Sequence, residues 1–148
     1  MNHAVAMGYP EPIPGDSVLR ILVVDDDRGE FPLLEASFAA SGAEVELATA
    51  TTGHLAIVSL FTASDDQQPH LALVDIGMPL ISGFDLARQL VEKGIPTVMM
   101  SALVTPERRE QAHAIGALDL LAKPQDATGY TDMVRRVIEL ARKHGSAK

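Results

Sequence analysis

From Ser17 onward, five short apolar runs alternate with five helix-length amphipathic segments, and this alternation confines the chain to few folds. The runs are Leu19 to Val24, Val45 to Ala48, Leu71 to Val74, Pro96 to Met100 and Leu118 to Ala122. Three of them, the first, third and fourth, are almost continuously hydrophobic, as parallel strands covered on both faces must be. Helices are expected at about Phe31 to Ser41, Thr52 to Ala63, Gly83 to Lys93, Pro106 to Ile115 and Thr128 to His144. Parallel strands need crossover helices, and crossovers are right-handed. The expected class is therefore α/β, a doubly wound five-stranded parallel sheet with five helices, whose ligands sit at the carboxyl ends of the strands.

The helix boundaries carry local signals. Thr105 can cap the fourth helix with Pro106 in its first turn, and Gly42, Gly94 and Gly116 follow helix ends where a left-handed residue is wanted. In the last helix, Val134, Val137, Ile138 and Ala141 recur at helical spacing and mark the packed face, with Arg135, Arg136 and Glu139 turned outward. Before Ser17, the stretch Tyr9-Pro10-Glu11-Pro12-Ile13-Pro14-Gly15 fixes φ repeatedly and removes donors, so residues 1–16 are expected to form a flexible Pro-rich tail.

Bulk properties narrow the partners. With 148 residues the chain suits one domain, and with no cysteine it has neither disulfides nor thiolate metal sites. A net charge of −8 argues against a DNA-binding surface, which needs clustered Lys and Arg to neutralise phosphates. Only 4% of residues are aromatic, too few for a base-stacking platform. No stretch approaches a membrane span and the start lacks signal-peptide character, so a cytoplasmic protein with no membrane partner is expected. His3, His54, His70, His113 and His144 are scattered without metal spacing and are expected at the surface or in packing.

The chemistry gathers at the strand ends. Ile21-Leu22-Val23-Val24 delivers Asp25, Asp26 and Asp27, and Leu73-Val74 delivers Asp75 to the same edge. Carboxylates so placed repel one another and require a cation; magnesium takes oxygen ligands and keeps several waters. The fourth strand ends in Ser101, a hydroxyl, and the fifth in Lys123-Pro124, an ammonium able to balance phosphoryl charge. Acid pair, acid, hydroxyl and lysine thus occupy one register.

On these stretches, together with Ile76-Gly77-Met78-Pro79, Gly83 and Ala102, the chain resembles the receiver domain of bacterial response regulators, a flavodoxin-like fold. The resemblance covers about Ser17 to His144, which makes 17–148 the expected receiver unit. It implies that Asp75 is the phosphoacceptor, that Asp25, Asp26, Asp75 and the backbone carbonyl of Gly77 hold Mg2+, and that Ser101 and Lys123 bind the phosphoryl oxygens. It also makes the Lys123–Pro124 bond a candidate for the cis form, since X-Pro bonds lower its cost.

The same resemblance implies partners. A histidine kinase or histidine phosphotransfer protein would supply the phosphoryl group, and a downstream protein would read the fourth helix, fifth strand and fifth helix. Because Lys148 follows soon after the last helix, no separate enzymatic output domain is expected, and the protein would catalyse only its own phosphorylation and dephosphorylation. Leu120 stands where such domains often carry a switching aromatic, which puts that readout in doubt. Gly77 and Leu103 occupy the positions that tune hydrolysis without a polar side chain, so slow self-dephosphorylation is expected.

Two other readings compete. Val24-Asp25-Asp26-Asp27 also fits a phosphatase of the haloacid dehalogenase type with Asp25 as nucleophile, which would need a further acidic pair downstream of Lys123. A receiver-like scaffold that works unphosphorylated is the second, and the complete set of acids and lysine argues against it.

Overall fold

The computed structural model describes residues 13–15, 17–78 and 82–145. The elements in chain order are β1 (Leu19–Val24), α1 (Glu30–Ala40), β2 (Val45–Ala50), α2 (Gly53–Thr62), β3 (Leu71–Asp75), α3 (Gly83–Glu92), β4 (Thr97–Ser101), α4 (Pro106–Ala114), β5 (Asp119–Ala122) and α5 (Ala127–His144). A short 3-10 turn at Asp65–Gln67, which periodicity over so few residues does not reveal, lies between α2 and β3. All four strand pairings are parallel, in the order β2-β1-β3-β4-β5.

That order explains the hydropathy. The three continuous runs are the central strands: β3 and β4 are buried at every residue and β1 at all but Arg20. The edge strands β2 and β5 are only partly covered. Within β1, Leu19, Ile21 and Val23 join one core with Leu34 and Phe38 of α1 and Val134, Val137 and Ala141 of α5. Leu22 and Val24 point the other way, into a core with Ala56 and Leu60 of α2 and Leu86 and Leu90 of α3. A two-residue side-chain period on a sheet clad on both faces demands this division.

The punctuation also holds. Thr105 Oγ1 accepts from Arg108 N at 3.1 Å, capping α4, and Gly42, Gly94 and Gly116 have φ of 85°, 86° and 93°. In α5 the expected face is packed, and Tyr130, Met133 and Leu140 extend it. His70 is a packing residue whose Nδ1 accepts from Arg20 N at 2.9 Å, and burial lowers its pKa.

Two expectations need correction. Among the described residues no peptide bond is cis, so Lys123–Pro124 is trans, the form that X-Pro bonds favour by about 0.5–1 kcal/mol. Packed structure also begins before Ser17. Ile13 is 4% exposed, its N–H donates to Arg142 O at 2.9 Å, and Arg142 Nη1 donates to Pro14 O at 2.6 Å. An isoleucine among prolines can enter a core when its amide finds a partner at a helix end. Residues 1–12 and 16 of the expected tail lie outside the described residues.

Gly83 sets how closely α3 approaches the tip of β3. A Cβ there would meet Asp75 O at 2.3 Å and Ile76 Cα at 2.6 Å, both backbone atoms that cannot rotate away. Gly83→Ala is therefore expected to destabilise the fold by about 2 kcal/mol, the usual scale of overpacking. A urea midpoint equal to that of wild type would contradict the tight approach.

Candidate functional site

Because the strands are parallel and in register, the tips of β1, β3, β4 and β5 emerge on one edge, and each presents one of the expected residues. Asp25 follows β1, Asp75 and Ser101 end β3 and β4, and Lys123 follows β5. One carboxylate oxygen from each of Asp25, Asp26 and Asp75 lies within 4.8 Å of the others. Asp25 is fully buried and Asp75 nearly so, whereas Asp26 is exposed.

Lys123 Nζ stands 2.9 Å from Asp25 Oδ2 and 3.2 Å from Asp75 Oδ2. Burial alone would lower the pKa of this amine, but the hydrogen bonds and attraction of the two carboxylates outweigh that and raise it. For Asp25, burial is the largest influence and raises the pKa, with the Asp75 charge adding to it. Lys123 and the backbone N–H of Asp27 oppose it, and the net direction is upward. A backbone amide orders each carboxylate: Asp27 N donates to Asp25 Oδ1 at 2.9 Å, and Gly77 N donates to Asp75 Oδ1 at 3.1 Å.

The donor set suits a small hard cation. It consists only of oxygens, and the one ammonium of Lys123 is shared between Asp25 and Asp75. Three clustered carboxylates against one ammonium leave a net negative charge that a divalent cation would offset.

Ser101 is 3% exposed, and its hydroxyl is already engaged. Oγ donates to Leu103 O at 2.7 Å and accepts from Leu103 N at 3.2 Å and from Arg108 Nη1 at 2.8 Å. Arg108 Nη1 also donates to Leu103 O at 2.8 Å. Sequence reasoning missed Arg108, whose one signal is its place in the first turn of a helix capped by Thr105, seven residues beyond Ser101. It also missed Tyr130, whose OH donates to Glu30 Oε2 at 2.6 Å and whose pKa burial, then Glu30, pushes up to about 12. Leu120 is buried with Ala87, Met99 and Ala112.

This geometry accompanies a sequence match. The family model for the response regulator receiver domain covers residues 21–135. The chain belongs to the response-regulator receiver family. The transcriptional regulatory protein PrrA of Mycobacterium tuberculosis is 33% identical over 129 residues, 86% of this chain and 52% of PrrA. Response regulator PleD of Caulobacter vibrioides is 39% identical over 111 residues, 72% of this chain and 23% of PleD. The chain thus spans about half the length, or less, of these curated relatives. Among solved structures, the receiver domain of Francisella response regulator 1452 superposes with a TM-score of 0.68 at 25% identity, over 83% of this chain and 96% of that one. The chemotaxis response regulator CheY4 of Vibrio cholerae gives 0.67 at 25% identity, over 82% and 99%. Receivers of this family work in two-component systems, bind Mg2+ at an acidic aspartate cluster, and interact with histidine kinases and downstream targets. Among the described residues no helix is long and apolar enough to cross a membrane.

Removing the amine from this site leaves two buried carboxylates facing each other. In chelator at pH 7, Lys123→Met is expected to cost about 3 kcal/mol of stability, the scale for breaking a buried pair. The deficit should shrink toward pH 5, because without the ammonium the pKa of Asp25 rises further and the folded state takes up a proton before the unfolded chain does. Urea midpoints at the two pH values measure this, and an equal deficit at both would assign the cost to lost packing of the lysine stem.

Proposed function

We propose that this receiver accepts a phosphoryl group on Asp75 from a phosphohistidine donor, in a Mg2+-dependent reaction, and signals through protein contacts. The observation that carries the reading is the single ammonium of Lys123 lying against both Asp75 and Asp25 at the converged strand tips. Asp25, Asp26, Asp75 and the backbone carbonyl of Gly77 would hold the cation. When bound, it supplies charge neutralisation for the phosphoryl oxygens.

In the transfer, an Asp75 carboxylate oxygen attacks phosphorus in line as the bond from phosphorus to the donor imidazole nitrogen breaks. The electron pair stays on the imidazole, and an acyl phosphate forms. Lys123 would pair with the phosphoryl oxygens, and Ser101 would donate a hydrogen bond once its hydroxyl turns. Phosphorylated Asp75 would carry about −1.5 to −2 charge, enough to draw these donors in and shift the loop between β4 and α4. The phosphoryl group would come from a histidine kinase or histidine phosphotransfer protein, and a downstream protein would read α4, β5 and α5. On this reading residues 17–148 form the receiver unit, working in the cytoplasm and acting enzymatically only on itself.

The phosphatase reading finds less support. The acids after Lys123 have other roles: Asp126 caps α5, Asp132 pairs with Arg135, and Glu139 pairs with Arg136. The scaffold reading leaves the buried charges of Asp25 and Asp75 without a purpose.

Incubation with acetyl phosphate and Mg2+ is expected to add one phosphoryl mass to wild type and none to Asp75→Asn, read by intact-protein mass. A gain that persists in Asp75→Asn would refute the acceptor assignment, and a gain lost only in Asp25→Asn would favour the phosphatase.

Hydrolysis is expected to be slow, since Gly77 and Leu103 offer an attacking water no polar side chain. Phospho-protein decay followed by mass should outlast minutes in wild type and speed up in Leu103→Gln. A wild-type lifetime of only seconds would count against this.

A further inference from the structure

We propose that Arg108 is a positioning residue that holds Ser101 in the unphosphorylated arrangement and couples it to α4, in place of an aromatic switch at position 120. The inference rests on the phosphoacceptor function proposed above for Asp75.

The argument starts from hydrogen-bond capacity. A serine hydroxyl has one proton to donate and two lone pairs. All three are committed: the proton goes to Leu103 O, and the lone pairs receive Leu103 N and Arg108 Nη1. Ser101 therefore has nothing to offer a phosphoryl oxygen until it gives up Leu103 O. Arg108 Nη1 opposes that step, because it bonds to Ser101 Oγ and to Leu103 O and closes them into one ring. Bonds from a charged guanidinium are stronger than neutral ones.

The ring also has a mechanical connection. Arg108 lies in the first turn of α4, where its own N–H is held by the Thr105 cap. When Ser101 turns to a phosphoryl group, Arg108 loses one of its two acceptors, and the start of α4 is released from the tip of β4. Leu120 cannot transmit the same event by swinging outward: it is 3% exposed and packed among Ala87, Met99 and Ala112. Leu103, by contrast, is 61% exposed, so its loop is held by the Ser101 and Arg108 hydrogen bonds rather than by side-chain packing.

The sign of the effect separates this role from electrostatics. Arg108 is a cation near an acidic site that would bind an anion, so removing it should weaken anion binding if its charge alone matters. If it restrains Ser101, removal should strengthen binding, because apparent affinity is divided by the fraction of protein already competent.

The test is a titration of the full chain with trifluoroberyllate in Mg2+, followed by the amide resonances of Ser101, Leu103 and Thr105. Arg108→Ala is expected to bind about tenfold more tightly than wild type, the worth of one charge-assisted bond. Its resonances before titration should already lie part-way toward the bound wild type. Arg108→Lys, which keeps the charge but not the fork, should fall between them if helix start and fold are intact. The exposed neighbour change Arg109→Ala should behave as wild type or bind more weakly. In a Ser101→Ala background, Arg108→Ala should have no further effect.

Affinity in Arg108→Ala equal to or weaker than wild type would overturn the proposal, as would tightening that persists in the Ser101→Ala background. A wild type that takes up no trifluoroberyllate would instead sink the phosphoacceptor reading itself, and the proposal with it.

Discussion

The ammonium of Lys123 makes the edge of this sheet possible. Parallel strands in register bring the chain to one side of the molecule, and here that places Asp25 and Asp75 in a setting where neither is well hydrated. Two carboxylates a few ångströms apart at low dielectric repel one another strongly. A single amine at 2.9 and 3.2 Å from one oxygen of each resists that. Backbone amides at Asp27 and Gly77 bind the remaining oxygens. The tip of β5, on the outer strand, is thereby tied electrostatically to the tips of the two central strands it does not adjoin.

The rest of the architecture serves that convergence. Gly83 lets α3 come against the backbone of Asp75 and Ile76, so β3 ends under a helix rather than in open solvent. Both faces of β1, β3 and β4 are covered, which fixes the height at which each tip emerges. A side chain held on a rigid strand end needs little reorganisation when charge develops nearby. The acids are pre-assembled, and the loop carrying Ala102 and Leu103 is fastened by hydrogen bonds to Ser101 and Arg108 rather than by packing of its exposed side chains.

Much of this could be read from the sequence because its causes are local. Continuous apolar runs announce central strands; a threonine before a proline announces the start of α4; glycines at Gly42, Gly94 and Gly116 announce helix ends. The convergence of Asp25, Asp75, Ser101 and Lys123 follows from one topological rule, that parallel strands end on the same side. Other features depend on three-dimensional accident. Nothing local says that Ile13, set among prolines, finds its partner at Arg142 and enters the core. The 3-10 turn after α2 is too short for periodicity. Arg108 looks like any charged residue on an exposed helix until the loop before it folds back and gives its guanidinium two acceptors.

That last contact bears on how a domain without an aromatic at position 120 can report its state. A readout needs an element with two arrangements and a contact present in only one of them. Leu120 offers no second arrangement, being enclosed on the face where β4, α3 and α4 meet. On the proposed function the loop after β4 does: its serine has one proton and two competing destinations, the carbonyl of Leu103 and a phosphoryl oxygen on Asp75. A restraint that spans this loop sets the resting balance between the two, and it lies where charge added at Asp75 would act. The strength of the signal then depends less on how tightly the phosphoryl group is held than on how much of that holding is spent in releasing the serine.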